Sequence, residues 1–434
     1  MLKNLQVQPA PPTHVKIRSD ETDPPILERF ELQPSEEAIT RFVRTRTGSV
    51  IASEIHLPPD MDFSLDLAAA YDAAWLRSKD RPPLVEVRGE VRIVDLFCGC
   101  GALSLGVDEA CRALGLRARH LLGVDMDPRI LPIYSRNFPD AETRRNPIEE
   151  ILDSGLRYPL SLTEKELQSR LGEVDLIIGG PPCQGNSNLN NHTRRNDPKN
   201  ALYLKMARAA EVLQPHHIII ENVPGVVHET GQVVARTKDV LIGLGYNVDE
   251  IVVNTVTLGV PQRRRRHILV ASRTRSLSLS AILKHHSKPD RTVRWACEDL
   301  IASHDSTVYN SPSSSTERNL ERINYLFDND LYDLPNELRP DCHRLKPHSY
   351  KSVYGRLKWD EPAPTVTSGF GSIGQGRFIH PAQRRTLTPH EAARLQFIPD
   401  FYDFSEVQRA ALLVMIGNAV PPKLGYVLAL ELLG

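Results

Sequence analysis

The sequence predicts an α/β fold: a parallel sheet covered by helices on both faces, with a smaller domain inserted late in the chain. Three observations carry this expectation. Short, nearly all-apolar runs rich in β-branched residues recur from Val91 onward. Helical stretches alternate with them. The rhythm then stops over residues 274–353, which are polar and rich in Ser, Pro and Asn. Strands that are apolar throughout are buried on both faces, and their alternation with helices favours parallel pairing.

Residues 1–88 are Pro-rich in patches and have no strong strand pattern. A helix is expected near Leu65–Lys79, where apolar residues recur at helical spacing before Arg-Pro-Pro-Leu breaks the run. This region reads as an extension outside the main fold, of open role. From Val91, VRIVDLF is a buried strand, followed by a glycine turn and a helix in GCGALSLGVDEACRALG. HLLGVDMD, VDLIIGG, HHIIIENV and HILVASR read as further strands, and ALYLKMARAAEVL as a helix between two of them. In the late segment the clearest element is a helix near Thr316–Phe327. Order returns with RTLTPHEAARLQFIP and the apolar helix KLGYVLALELL. The expected division is 1–88, 89–273, an insert at 274–380, and 381–434 returning to the main fold.

The chain has 434 residues, 41% hydrophobic, and a net charge of -1. No run of about 18 apolar residues suggests a membrane span, and the N-terminus lacks the apolar core of a secretory signal. Six irregularly spaced cysteines do not form a disulfide framework, and Cys98 with Cys100 has no second pair for a zinc site. These features predict reduced thiols in a cytoplasmic protein without a metal. The charge is uneven: from Arg263 to Arg294 ten Lys or Arg residues face one acid, Asp290. Such a stretch can contact phosphates, although basic runs are usually solvated surface.

In parallel sheets, ligands bind beyond the carboxyl ends of the strands. Four polar clusters fall there, and a fifth leads into a strand. Asp95 and Phe97 lead into a turn with Gly99 and Gly101, where the backbone can approach a ligand and the helix N-terminus favours anions. Asp125 ends the next strand, where a carboxylate can take both hydroxyls of a ribose; capping of the following helix is the plain alternative. Gly179-Gly180-Pro181-Pro182-Cys183 places a cysteine rigidly past a strand end, and Glu221-Asn222 ends another strand. Gln262-Arg263-Arg264-Arg265-Arg266 leads into the last of these strands. A buried structural cysteine and a solvated arginine run would explain two of them singly. Their conjunction at the ends of one sheet points to a reacting centre.

The order DLFCGCG, VDMD, GGPPCQG, ENVPG, GVPQRRRRH, RTLTPHEAARLQFIP, IGNAVPP resembles the carbon-5 cytosine methyltransferase family over roughly residues 92–434. The resemblance implies a Rossmann-like S-adenosylmethionine-dependent sheet and a target-recognition domain in the insert. It implies double-stranded DNA as partner and S-adenosyl-L-methionine as cofactor. Cys183 would be the nucleophile, since a thiolate adding at carbon 6 makes carbon 5 nucleophilic. Glu221 would donate a hydrogen bond or proton to ring nitrogen 3, so its carboxyl must hold a proton in a closed site. Arg266 would meet the 2-oxygen and Arg264 would lie near phosphate. Gln262, Arg194 and Arg195 would face DNA, the last two from a loop at 186–200 that closes over a flipped base. For the cofactor, the resemblance implies Asp95, Phe97, Gly99, Gly101, Asp125, Met126, Pro182, Leu202 and Asn418. The chain departs from the family pattern at Ala102, at Asn146-Pro147-Ile148 where an acid for the adenine amino group is expected, and at Asn186 and Asn190. An RNA cytosine methyltransferase and an inactive DNA-binding regulator are the alternatives; the long insert favours DNA, and the intact motifs favour an enzyme. A monomer, acting beside a paired restriction endonuclease, is the expected assembly.

Overall fold

The structure, a computed structural model, describes residues 23–33, 37–59, 66–182, 202–302, 306–345 and 352–434. It begins with three antiparallel strands, β1 (Leu27–Leu32), β2 (Ala38–Arg44) and β3 (Val50–His56), in that order. These strands correct the expectation of a region without strand pattern. The helix α1 (Leu67–Arg77) follows, capped by Asp66, whose side chain accepts from the Ala69 N–H at 2.9 Å.

The same residues correct the idea of an extension outside the main fold. Ile39, Ile55, Tyr71 and Trp75 share one core with Leu105, Phe397 and Met415. Trp75 stacks on Phe397 with ring centroids 5.7 Å apart. Inward charges are paired: Arg41 with Glu109 at 2.9 Å, and Asp72 with Lys423 at 2.9 Å. Buried ions require such partners.

The main sheet contains β4 (Gly89–Leu96), β5 (Leu116–Val124), β6 (Glu142–Arg144), β7 (Leu176–Gly179), β8 (His217–Asn222), β9 (Asn247–Asn254) and β11 (Arg265–Ser272). Between the last two lies the short β10 (Gln262–Arg263), which pairs with β12 (Ala363–Pro364) apart from the sheet. The sheet order is β6-β5-β4-β7-β8-β11-β9. Pairs from β6 through β8 are parallel, as expected, but β11 runs antiparallel to both β8 and β9. The chain passes from β9 to β11 through a short 3-10 turn and β10 rather than a covering helix, so it can only return antiparallel.

The helix α2 (Ala102–Ala113) and the last helix, Pro422–Leu433, cover one face together with the N-terminal strands. They cross glycine to glycine: a Cβ on Gly106 would lie 2.1 Å from the Pro422 carbonyl oxygen, and one on Gly425 would lie 2.9 Å from that of Leu103. The helices Tyr203–Leu213 and Val233–Gly243 cover the other face. In the late segment the expected helix spans Glu317–Asp328. It builds a small core of its own from Ile323, Leu326, Leu334, Tyr354 and Ile379. Leu279 and Ile282 pack instead into the core of the main sheet. No single helix among the described residues is long and apolar enough to cross a membrane.

Candidate active site

The site lies where β4, β5, β7 and β8 end. Parallel register places Leu96 opposite Gly179 and Gly179 opposite Ile220, so the residues that follow each strand emerge side by side. After β4 the backbone turns sharply, with φ of 61° at Phe97, 54° at Gly99 and 81° at Gly101. Gly101 caps α2, and a Cβ there would meet the Phe138 ring at 2.4 Å, so only glycine fits. A Cβ on Gly99 would meet nothing within 4 Å; the turn is open on that side.

Asp125 holds this turn in place. Its Oδ2 accepts from the Gly99 N–H at 3.0 Å and its Oδ1 from the Asp127 N–H at 2.9 Å. Burial raises its carboxyl above the ordinary value, against these hydrogen bonds. Next to it in the chain, Met126 is an apolar side chain left 66% exposed. Phe97 is half-buried, as are Pro182, after β7, and Leu202, before the helix Tyr203–Leu213. Asn418 is exposed at the end of the helix Arg409–Asn418. A carboxylate flanked by apolar side chains, over an open glycine turn at a helix N-terminus, fits a nucleoside carrying a short charged tail. Asp95 stands differently: it is buried beneath the turn and accepts from Ser104 Oγ at 2.7 Å. Pro147 stands where an acid for the adenine amino group was expected, and its neighbour Asn146 donates from its amide to Glu150 Oε2 at 2.9 Å.

The reacting end is organised around β8. Glu221 is buried, and its Oε1 lies 2.5 Å from Arg266 Nε. A Cβ on Gly180 would come within 3.2 Å of Glu221 Oε2, so the strand leading to Cys183 runs directly against this carboxylate. Gly179 is equally constrained: a Cβ there would lie 2.6 Å from the Leu96 carbonyl oxygen. Asn222, which the sequence reading quoted but gave no role, donates from Nδ2 to the Pro181 carbonyl at 3.0 Å. That bond ties the end of β8 to the Pro-Pro segment. Cys183, Arg194 and Arg195, with the loop at 186–200, lie outside the described residues.

Two expected roles are corrected here. Gln262 is fully buried: its Nε2 donates to the Leu395 carbonyl at 3.0 Å and to Gln396 Oε1 at 2.6 Å, and its Oε1 accepts from the Val366 N–H at 2.9 Å. All of its amide is used internally, leaving none for DNA. Arg264 is likewise buried and donates to the carbonyls of Val366 at 2.8 Å and Gly417 at 3.1 Å. Burial, and Arg266 nearby, lower its pKa, with Glu221 acting in the opposite direction. A phosphate cannot reach it. Together these two side chains lock the end of the sheet to the returning chain at Val366 and to the helix junction at Gly417.

Residues 91–434 match the C-5 cytosine-specific DNA methylase family. The chain belongs to that family. Its cofactor is S-adenosyl-L-methionine, and the residues around the Gly99–Gly101 turn suit it. The chain is 46% identical over 394 residues to the Type II methyltransferase M1.BsuMI of Bacillus subtilis (strain 168), covering 91% of this chain and 92% of that relative. It is 31% identical over 348 residues to the Type II methylase M.HgiDII of Herpetosiphon aurantiacus, covering 78% of this chain and 93% of that one. Among solved structures, the S. pombe Dnmt2 methyltransferase superposes with a TM-score of 0.55 at 18% identity, covering 79% of this chain and 98% of that one. That likeness concerns the fold. The methylase match begins at Val91, so β1–β3 and α1 precede it.

Proposed function

We propose that this cytosine-5 DNA methyltransferase works through Cys183, Glu221 and Arg266 on a cytosine flipped out of duplex DNA. The observation that carries the reading is the Glu221–Arg266 pair, set against the Gly180–Pro182 segment that delivers Cys183. A cytosine inside a duplex cannot present carbon 6 to a side chain, so the base must leave the stack. The Cys183 thiolate adds to carbon 6, and Glu221 supplies a proton or hydrogen bond at ring nitrogen 3 as charge moves onto the ring. Arg266 keeps Glu221 oriented and reaches the 2-oxygen from the same side. S-adenosyl-L-methionine supplies the electrophilic methyl group. Asp125 holds the ribose, Phe97 and Met126 flank the adenine, and Pro182, Leu202 and Asn418 line the rest of that pocket. Water in the site takes the carbon-5 proton, and the electrons of that C–H bond re-form the carbon 5–carbon 6 double bond as the Cys183 thiolate leaves.

The insert at 274–380 is the target-recognition domain in this reading, because base edges must be read by side chains outside the reacting centre. The Type II names of the relatives support a place beside a restriction endonuclease, with the enzyme acting as a cytoplasmic monomer. Bisulfite sequencing of plasmid DNA exposed to the purified protein tests the reading, with Cys183→Ser as control. Conversion-resistant cytosines in one recurring sequence, absent with Cys183→Ser, are expected. Methylation of tRNA but not plasmid would overturn the DNA assignment.

A further inference from the structure

The mechanism leaves one buried acid unused. Asp95 ends β4 beneath the glycine turn, 2% exposed. It is faced by Cys98 and Cys100 from the turn, Ser104 from α2, Asp125 from the end of β5 and Tyr134 from the helix Leu131–Asn137. None of these neighbours carries a positive charge. A buried carboxylate without a cation is costly and tends to keep its proton. Burial, with Asp125 adding to it and Ser104 opposing it, pushes Asp95 up to about 8.

Asp95 is also the inner end of a continuous chain of polar groups. Ser104 Oγ lies 2.7 Å from Asp95 Oδ2 and 3.1 Å from the Tyr134 hydroxyl. That hydroxyl lies 3.5 Å from His120 Nδ1, and His120 Nε2 lies 2.5 Å from Asp108 Oδ1. Arg81 closes the outer end on Asp108. With Nε2 donating to Asp108, Nδ1 of His120 is left as an acceptor.

We propose that Asp95 senses the charge of the cofactor, ionising when the sulfonium binds above the turn and regaining its proton when the neutral thioether product remains. The inference rests on the cofactor site described above. Ionisation breaks the Asp95 O–H bond. Ser104, Tyr134 and His120 each accept one proton and pass one on, and the last O–H bond forms on solvent water beyond Asp108. One proton therefore leaves the protein when the sulfonium binds, which couples the affinity to pH. A bound sulfonium would then face a carboxylate in a low-dielectric site and the product a neutral acid, which would favour release of product over substrate cofactor.

The sign follows from linkage: a cation that binds the ionised form better binds more tightly as pH rises through the value of the empty site. The test is calorimetric binding of S-adenosylmethionine and S-adenosylhomocysteine from pH 6.5 to 9, with wild type, Asp95→Asn and Ser104→Ala. Titration of the ligands' own ammonium groups is common to wild type and Asp95→Asn and cancels between them. In wild type the preference for S-adenosylmethionine over S-adenosylhomocysteine should grow about five- to ten-fold across this range relative to Asp95→Asn. Ser104→Ala removes the hydroxyl that favours the carboxylate, so the rise should move to higher pH. If both ligands bind and their ratio follows the same pH course in wild type and Asp95→Asn, the charge-sensing role is wrong while the cofactor site stands. If neither ligand binds wild type, the cofactor site itself is wrong and this role falls with it.

Discussion

Asn222 donates its side-chain amide to the main-chain carbonyl of Pro181 across 3.0 Å, joining the end of the strand that carries Glu221 to the segment that delivers Cys183. Both groups are buried, so the bond is sheltered from water and ties the end of the Glu221 strand to the segment that precedes Cys183. Asn222→Ala removes the donor and leaves the carbonyl unpaired, at about 1–3 kcal/mol. Because small misplacements of reacting groups reduce rate steeply, turnover should fall about ten- to a hundred-fold. S-adenosylmethionine affinity should stay within about two-fold, since Asp125 and the glycine turn are untouched. Single-turnover methylation beside calorimetry measures both; unchanged turnover would refute the role given to this bond.

Glu221→Gln keeps the shape of the side chain while removing its charge and its transferable proton. Loss of one general acid lowers rate by about 10²–10⁴-fold. DNA affinity should change far less, because phosphate contacts dominate it. Methyl incorporation under saturating DNA and cofactor gives the answer. A variant retaining half of wild-type turnover would exclude Glu221 from the chemistry.

Asp72 accepts from Lys423 Nζ through both oxygens at 2.9 Å and lies 2.6 Å from Arg291 Nη1, all within the protein. Asp72→Ala strands two buried cations, which costs about 3–5 kcal/mol. Urea unfolding should show a much lower midpoint with an unchanged slope. Deleting residues 1–88 would go further, uncovering Leu105, Phe397 and Met415, and should yield aggregated protein rather than a trimmed enzyme. A soluble deletion product with wild-type unfolding would contradict the packing described here.

Asp400 supplies a pH limit. Burial pushes its carboxyl upward, but hydrogen bonds from Arg394 at 2.5 Å and His390 at 2.7 Å win, lowering it to about 2. A value depressed from 3.8 means its stabilisation is complete above that value and disappears as pH falls toward 2. The amount is about 2 kcal/mol. Asp400→Asn should therefore lower stability at pH 6 and flatten the acid limb of the profile. Identical acid limbs for variant and wild type would remove Asp400 from that role.

Much of the catalytic half was legible in the sequence because its signals are local. VRIVDLF, VDLIIGG and HHIIIENV are apolar throughout, so burial on both faces follows from composition alone. The glycines and prolines after them stop each strand, which places Asp125 and Glu221 at one edge of the sheet. The antiparallel turn of β11 was not legible, since HILVASR reads the same in either direction.

What tertiary structure alone decided concerns charges that look solvated in sequence. Gln262-Arg263-Arg264-Arg265-Arg266 reads as one basic surface. In the fold it alternates, with Arg263 and Arg265 outside and Arg264 inside. The carbonyls that make this burial tolerable, from Val366 and Gly417, stand 102 and 153 residues further along the chain. The N-terminal strands were hidden for the same reason: Glu28 and Arg41 interrupt the inward apolar pattern, and their partners lie far away, on α2 for Arg41 and on the last helix for both. Residue type and spacing specify where a strand ends and what chemistry it can present. Whether a charged side chain is buried depends on a partner that only the folded chain brings within hydrogen-bond distance.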